Sequence, residues 1–236
     1  MTKRIVLVIG VLLALVVGLI AAPAPQAAAA RCADVEVVFA RGTAENAAPM
    51  GATGISFVAA VRQRLAGRSV VGYPVRYPAG SNFDDRPAFV RGVVVGIRDA
   101  QRRVTYLAAH CPRTKIVLGG YSQGAAVAGY AANNGVYVAP QYRRYQSEVP
   151  PPLPASVATH VRAIVLFAPP SDRWLRDLGA PPMTIGPQFG HRSVRYCIRG
   201  DTVCDGSPVG GPNPLHVLYA VNGMTGAGAE FVARHL

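Results

Sequence analysis

The chain has 236 residues, half of them apolar and only 15% charged, which excludes a disordered polymer and allows one domain with a sizeable core. The formal charge is +12, but the arginines are scattered and no nucleic-acid motif accompanies them, so nucleic acid is not expected as a partner. Such a basic surface suits attraction to an anionic cell envelope or lipid head group.

The N-terminus reads as a targeting segment. Lys3 and Arg4 precede an unbroken apolar run from Ile5 to Ala22, and alanines ending at Ala30 follow Pro23 and Pro25. This pattern predicts a signal peptide over residues 1–30, cleaved at a small-residue site, and hence a secreted protein. An uncleaved anchor is the alternative, because the apolar run approaches the length that spans a bilayer. Arg31 stands before Cys32, where a lipid-attachment site needs a small residue. Loss of Lys3 and Arg4 takes two charges from +12, leaves +10, and makes Lys115 the sole remaining lysine. Residues 31–236 contain no linker-like tract and are read as one domain.

Within that domain, Val35–Ala40 reads as a strand, followed by a turn at Arg41-Gly42-Thr43. Ile55 to Leu65 carries apolar residues at helical spacing and stops at Gly67. Val70 to Tyr77 reads as a strand. Asp84 to His110 reads as a helix with Val90, Val94, Ile97, Val104 and Leu107 on one broad face. Lys115 to Gly120 is a short buried strand, and the small residues of Gln123 to Ala132 suit a tightly packed helix. Residues 139–156, with their proline cluster, read as an irregular surface loop. Arg162–Phe167 and Ser193–Ile198 are two further strands, and a last helix is expected over His216–Val221 or in the tail from Ala227. Strands alternating with helices predict an α/β fold of three layers, helices covering both faces of a mostly parallel sheet.

Cys32, Cys111, Cys197 and Cys204 all lie beyond the targeting segment. An even count in an exported chain implies two disulfides, with three possible connectivities. The short separation favours Cys197–Cys204, which leaves Cys32 to pair with Cys111. A loop that long contributes on the order of 4 kcal/mol in the chain-entropy model. Metal ligation is not expected, since the spacing is not CxxC and no histidine sits at a ligand offset.

Chemistry centres on Gly120-Tyr121-Ser122-Gln123-Gly124. A G-x-S-x-G run is weak by itself. Here it follows an apolar strand and opens a helix, the setting that a nucleophile elbow requires. Ser122 is therefore the candidate nucleophile, and the N–H of Gln123 at the helix start can face a developing oxyanion. A serine hydroxyl also needs a base and an orienting carboxylate, which follow it in this fold as acid and then histidine. Among five histidines, His216 opens an apolar segment after two acids. Asp201 follows a strand and lies inside the Cys197–Cys204 loop; Asp205, just outside, competes for the same role.

Four blocks resemble the cutinases, small lidless α/β-hydrolases. They are Ala40-Arg41-Gly42-Thr43-Ala44-Glu45, the Ser122 run, Cys197-Ile198-Arg199-Gly200-Asp201-Thr202-Val203-Cys204, and Leu215-His216-Val217-Leu218-Tyr219. They occur in the family's order across nearly all of residues 31–236. The resemblance implies Asp201 rather than Asp205 as the triad acid and His216 as the base. It implies Thr43 and Gln123 as the oxyanion pair, and disulfides Cys32–Cys111 and Cys197–Cys204. The chain departs from the family at Ala168-Pro169-Pro170, in a longer stretch over 139–156, and in a longer interval from Asp201 to His216. These departures touch the rim of the site and leave its chemical groups in place.

The expected activity is hydrolysis of a lipid or other ester through an acyl-enzyme, by a monomer that needs no metal or organic cofactor. Phe83, Phe89, Val209 and Leu215 are candidates to receive an acyl chain. The competing readings are acyl transfer on the same triad and a non-catalytic envelope-binding protein, whose mark would be a broken triad.

Overall fold

A computed structural model describes residues 32–236; the expected signal peptide over 1–30 lies outside the described residues. Five strands form one sheet: β1 (Val35–Ala40), β2 (Val70–Pro74), β3 (Lys115–Tyr121), β4 (Val161–Phe167) and β5 (Ser193–Tyr196). Their order is β2-β1-β3-β4-β5, and every pairing is parallel. The helices are α1 (Gly51–Arg64), α2 (Arg86–His110), α3 (Gln123–Ala131), α4 (Ala155–Ala158), α5 (Asp172–Asp177) and α6 (Met224–Ala233).

The pleat sorts the strand side chains into two cores. Val38, Leu118, Ile164 and Leu166 pack with Ile97, Val104 and Leu107 of α2 and the alanines of α3. Val37, Phe39, Val117, Val165 and Phe167 pack with Phe57, Val58 and Val61 of α1 and Ala229 and Val232 of α6. Because both faces are covered, β1 is buried at all six positions, which is why it reads as a continuous apolar run. Its one charged residue, Glu36, is 3% exposed and receives two hydrogen bonds from the Arg103 guanidinium of α2, at 2.5 and 2.7 Å. This is the three-layer α/β architecture that the alternation predicts.

Both disulfides, Cys32–Cys111 and Cys197–Cys204, are formed. The Asp85 side chain caps α2 by accepting from the Ala88 N–H, with Pro87 in the first turn.

The helix expected over Asp84–His110 is α2, and its apolar face is unevenly covered. Val90 is 55% exposed and Val94 only half-buried, and the buried residues of the helix begin at Gly96. Within the first ten residues Val93 packs against the core, but none is fully buried. Spacing identifies the apolar face of a helix, not how much of its length finds a neighbour.

Three differences concern element boundaries. Residues 140–148 form a 3₁₀ helix instead of an irregular loop. The six-residue α5, capped by the Ser171 hydroxyl on the Trp174 N–H at 3.1 Å, is too short to show a periodicity. The two expectations for the last helix are separate elements, a 3₁₀ turn over Pro214–Val217 and α6. Among the described residues no helix is long and apolar enough to cross a membrane.

Candidate active site

Parallel strands all end at one edge of the sheet, and the loops leaving that edge carry every candidate group. Ser122 stands between β3 and α3 with φ 54° and ψ −118°, a region that non-glycine residues seldom occupy. Positions 120 and 124, two residues to either side, must be glycine for this turn to close. A Cβ on Gly120 would lie 2.0 Å from the Gly124 carbonyl oxygen, and one on Gly124 would lie 2.0 Å from the Ala40 carbonyl oxygen. The same close approach brings the loop after β1 directly against the first turn of α3.

The structure brings Ser122, His216 and Asp201 together. His216 Nε2 is 2.8 Å from Ser122 Oγ, and His216 Nδ1 lies 2.9 and 3.0 Å from the two Asp201 carboxylate oxygens. An ionised carboxylate only accepts hydrogen bonds, so Nδ1 carries the hydrogen and Nε2 is free to accept from the Ser122 hydroxyl. Asp201 is fully buried and His216 is 6% exposed. Asp205 is exposed and accepts from the Ser207 N–H, as a turn residue does. His110 contacts the Tyr106 carbonyl one turn back in α2, and His235, just past the end of α6, contacts the Phe231 carbonyl.

Two opposed effects set the Asp201 pKa. Burial pushes the carboxyl up, but hydrogen bonds from His216 and the Tyr219 hydroxyl, the positive field of His216, and the Val203 N–H outweigh it. The net result lies below the ordinary aspartate value. The Tyr219 hydroxyl donates to Asp201 at 2.7 Å and accepts from the Ile198 N–H at 2.9 Å. Burial, with the bond to Asp201, pushes its own pKa well up, so it remains a donor. Tyr121 donates to the His216 carbonyl at 2.5 Å, and its ring lies 5.2 Å from the imidazole.

Thr43 and Gln123 sit on the two segments that Gly124 brings into contact. The N–H and hydroxyl of Thr43 and the N–H of Gln123 make no hydrogen bond among the described residues. The Thr43 turn is braced from behind by Glu45, which accepts from the Gly42 N–H at 2.7 Å and the Ala52 N–H at 3.0 Å. The candidate acyl-contacting residues divide. Phe83 and Val209 are exposed, Phe89 and Leu215 are half-buried, and the rings of Phe83 and Phe89 lie 4.9 Å apart.

Sequence reasoning gave no role to Tyr219, Tyr121 or Glu45. The signal for Tyr219 was its place three residues past His216, where the 3₁₀ turn carries the chain back toward the Asp201 loop. Nothing in the spacing separates it from a core tyrosine.

Comparison with known proteins concerns the chain as a whole. The family model described as Cutinase matches residues 31–236. A probable carboxylesterase, Culp7, from Mycobacterium tuberculosis is 45% identical over 175 residues, covering 73% of this chain and 88% of the relative. The carboxylesterase Culp1 of Mycobacterium bovis is 36% identical over 241 residues, covering 100% of this chain and 98% of the relative. Among solved structures, a Trichoderma reesei cutinase in complex with a phosphonate inhibitor superposes with a TM-score of 0.62 at 27% identity, covering 86% of this chain and 76% of that one.

Proposed function

The chain belongs to the cutinase family, and from that premise we propose that it is a secreted carboxylic ester hydrolase with a triad of Ser122, His216 and Asp201. The observation that carries the reading is the continuous line from the Ser122 hydroxyl through both nitrogens of His216 to a buried, ionised Asp201.

In the first step Ser122 Oγ attacks the ester carbonyl carbon while its proton passes to His216 Nε2. Asp201 holds the ring in the tautomer that can accept this proton and stabilises the imidazolium. The carbonyl oxygen, now negative, is bound by the Thr43 N–H and hydroxyl and the Gln123 N–H, donors that are unpaired among the described residues. Collapse returns the proton to the leaving alcohol and leaves an acyl group on Ser122. Water then repeats the sequence and releases the acid. A complete triad with unsatisfied donors beside it speaks against a non-catalytic binding protein.

Export is supported by the leader pattern of residues 1–30 and by two formed disulfides, which belong to an oxidising compartment. Lipids and other esters are the substrate class. The basic charge and the exposed apolar residues near the start of α2 suit a lipid or envelope surface.

Ser122→Ala tests the core of this reading. Turnover of p-nitrophenyl butyrate should fall by at least about 10⁴-fold with the fold unchanged by circular dichroism. An undiminished rate would remove Ser122 from the mechanism.

A further inference from the structure

Beyond β2 the chain presents four successive carbonyls, Tyr77, Pro78, Ala79 and Gly80, and each accepts a hydrogen bond from the oxyanion side of the site. Arg41 Nη2 donates to Tyr77 at 2.9 Å and to Pro78 at 3.1 Å. The Ala44 N–H donates to Ala79 at 2.8 Å. Gln123 Nε2 donates to Gly80 at 3.1 Å. The Tyr77 hydroxyl donates back to the Arg41 carbonyl, and the Arg41 guanidinium lies 5.3 Å from the centre of the Tyr77 ring. The donors from Arg41 and Ala44 flank Thr43 on both sides, and the remaining donor belongs to Gln123.

This arrangement carries unusual strain for a surface turn. Ala44 and Ala79, bonded to each other, both lie at positive φ, 58° and 50°. Among the described residues, Arg41 Nε and Gln123 Oε1 are buried without a hydrogen-bond partner. Strained alanines and unpaired buried atoms each cost stability and persist only where the surroundings over-determine them. All four concentrate on one feature, the strap of residues 77–80 and the side chains that grip it.

We propose that Arg41 and the Gln123 carboxamide are positioning residues for the oxyanion donors. By gripping one strap they fix the separation between the Thr43 donors and the Gln123 N–H. Neither side chain touches the substrate. The inference rests on the ester-hydrolase reading and on the oxyanion roles given there to Thr43 and Gln123. Loss of one oxyanion donor costs about 10²–10³-fold in kcat, and a donor displaced by a fraction of an ångström forfeits part of that.

The test compares Arg41→Met, Arg41→Lys and Gln123→Met with Ser122→Ala in the full chain. Gln123→Met keeps the backbone N–H and removes only the carboxamide. The readouts are kcat and KM for p-nitrophenyl butyrate, the rate of covalent labelling of Ser122 by a p-nitrophenyl phosphonate, and the thermal midpoint. Arg41→Met and Gln123→Met should each lower kcat about 10–100-fold, with KM within about twofold. Phosphonate labelling should slow in parallel, because the phosphoryl oxygen uses the same donors. Arg41→Lys, still able to donate to a carbonyl, should recover a large part of both rates. A merely structural role would lower the midpoint without separating kcat from KM.

The inference is overturned if the two Met variants keep kcat and labelling within about twofold of the parent, or if Arg41→Lys is no better than Arg41→Met. Should Arg41→Met not fold, Gln123→Met decides alone by the same criteria. An active Ser122→Ala overturns the ester-hydrolase reading and this inference with it. An inactive Ser122→Ala beside a fully active Arg41→Met overturns this inference alone.

Discussion

Asp201 illustrates how much one side chain owes to residues far from it in sequence. A carboxylate with no solvent exposure would ordinarily be protonated, yet hydrogen bonds from His216, Tyr219 and Val203 keep it ionised. Because its folded pKa is depressed, the stability tied to its ionisation is fully present above the ordinary carboxylate range. It is lost as pH falls through the lowered value. The thermal midpoints of the parent and of Asp201→Asn should therefore differ at pH 7 and converge on acidification toward pH 3; a difference that stays constant over that range would contradict this. At pH 7 the same variant should lose about 10⁴-fold in kcat, since an amide no longer selects the tautomer that accepts the Ser122 proton. Tyr219→Phe is the milder probe. It removes one of the bonds that hold the Asp201 pKa down, so that pKa should rise, and on acidification the stability tied to its ionisation should be lost at higher pH than in the parent, read from thermal midpoints. The three side chains proposed as acid, base and nucleophile could be picked out of the sequence because the chemistry limits such groups to a few residue types in a fixed order. Tyr219 could not, because a buried tyrosine has the same signature whether or not its hydroxyl meets a carboxylate 18 residues away.

At the scale of elements, the strand-to-helix turn and α2 give opposite lessons. The turn was legible because glycine at 120 and 124 has a steric meaning, and the structure supplies its magnitude. With a backbone oxygen 2.0 Å from either hypothetical Cβ, Gly120→Ala or Gly124→Ala should destabilise by about 3 kcal/mol or more, read from the shift in a urea unfolding curve. In α2, periodicity gave the apolar face but not where coverage begins. Val90→Ser should leave stability within about 0.5 kcal/mol, whereas Leu107→Ala, at a 2% exposed position, should cost about 2–5 kcal/mol. Glu36 shows a further limit of local reading. A charge in a buried strand needs a partner, and that partner, Arg103, lies 67 residues away on another element. Arg103→Met should strand the carboxylate and cost about 3–5 kcal/mol; a cost below about 1 kcal/mol would mean that Glu36 does not depend on Arg103.

For the whole molecule, the two disulfides divide stability from chemistry. Cys32–Cys111 spans 79 positions and Cys197–Cys204 spans seven, so the chain-entropy model assigns them about 4.5 and about 2.5 kcal/mol. Their places in the fold differ more than these numbers. Cys111 follows α2 and precedes β3, so the long bridge ties the segment before β1 to the sheet edge opposite Ser122. The short bridge encloses Asp201, whose backbone bonds to Ile198 and Cys204 lie within the same loop. Replacing Cys32 and Cys111 together by serine should therefore give the larger loss of unfolding free energy while kcat stays within about threefold. Replacing Cys197 and Cys204 together should give the smaller loss of stability and the larger loss of kcat, because the carboxylate that orients His216 is no longer held. The comparison needs only a denaturant titration and the p-nitrophenyl assay on the two double variants. If one variant loses the most of both quantities, the bridges do not divide their roles, and the rigidity of the Asp201 loop must come instead from the hydrogen bonds of Tyr219 and Val203.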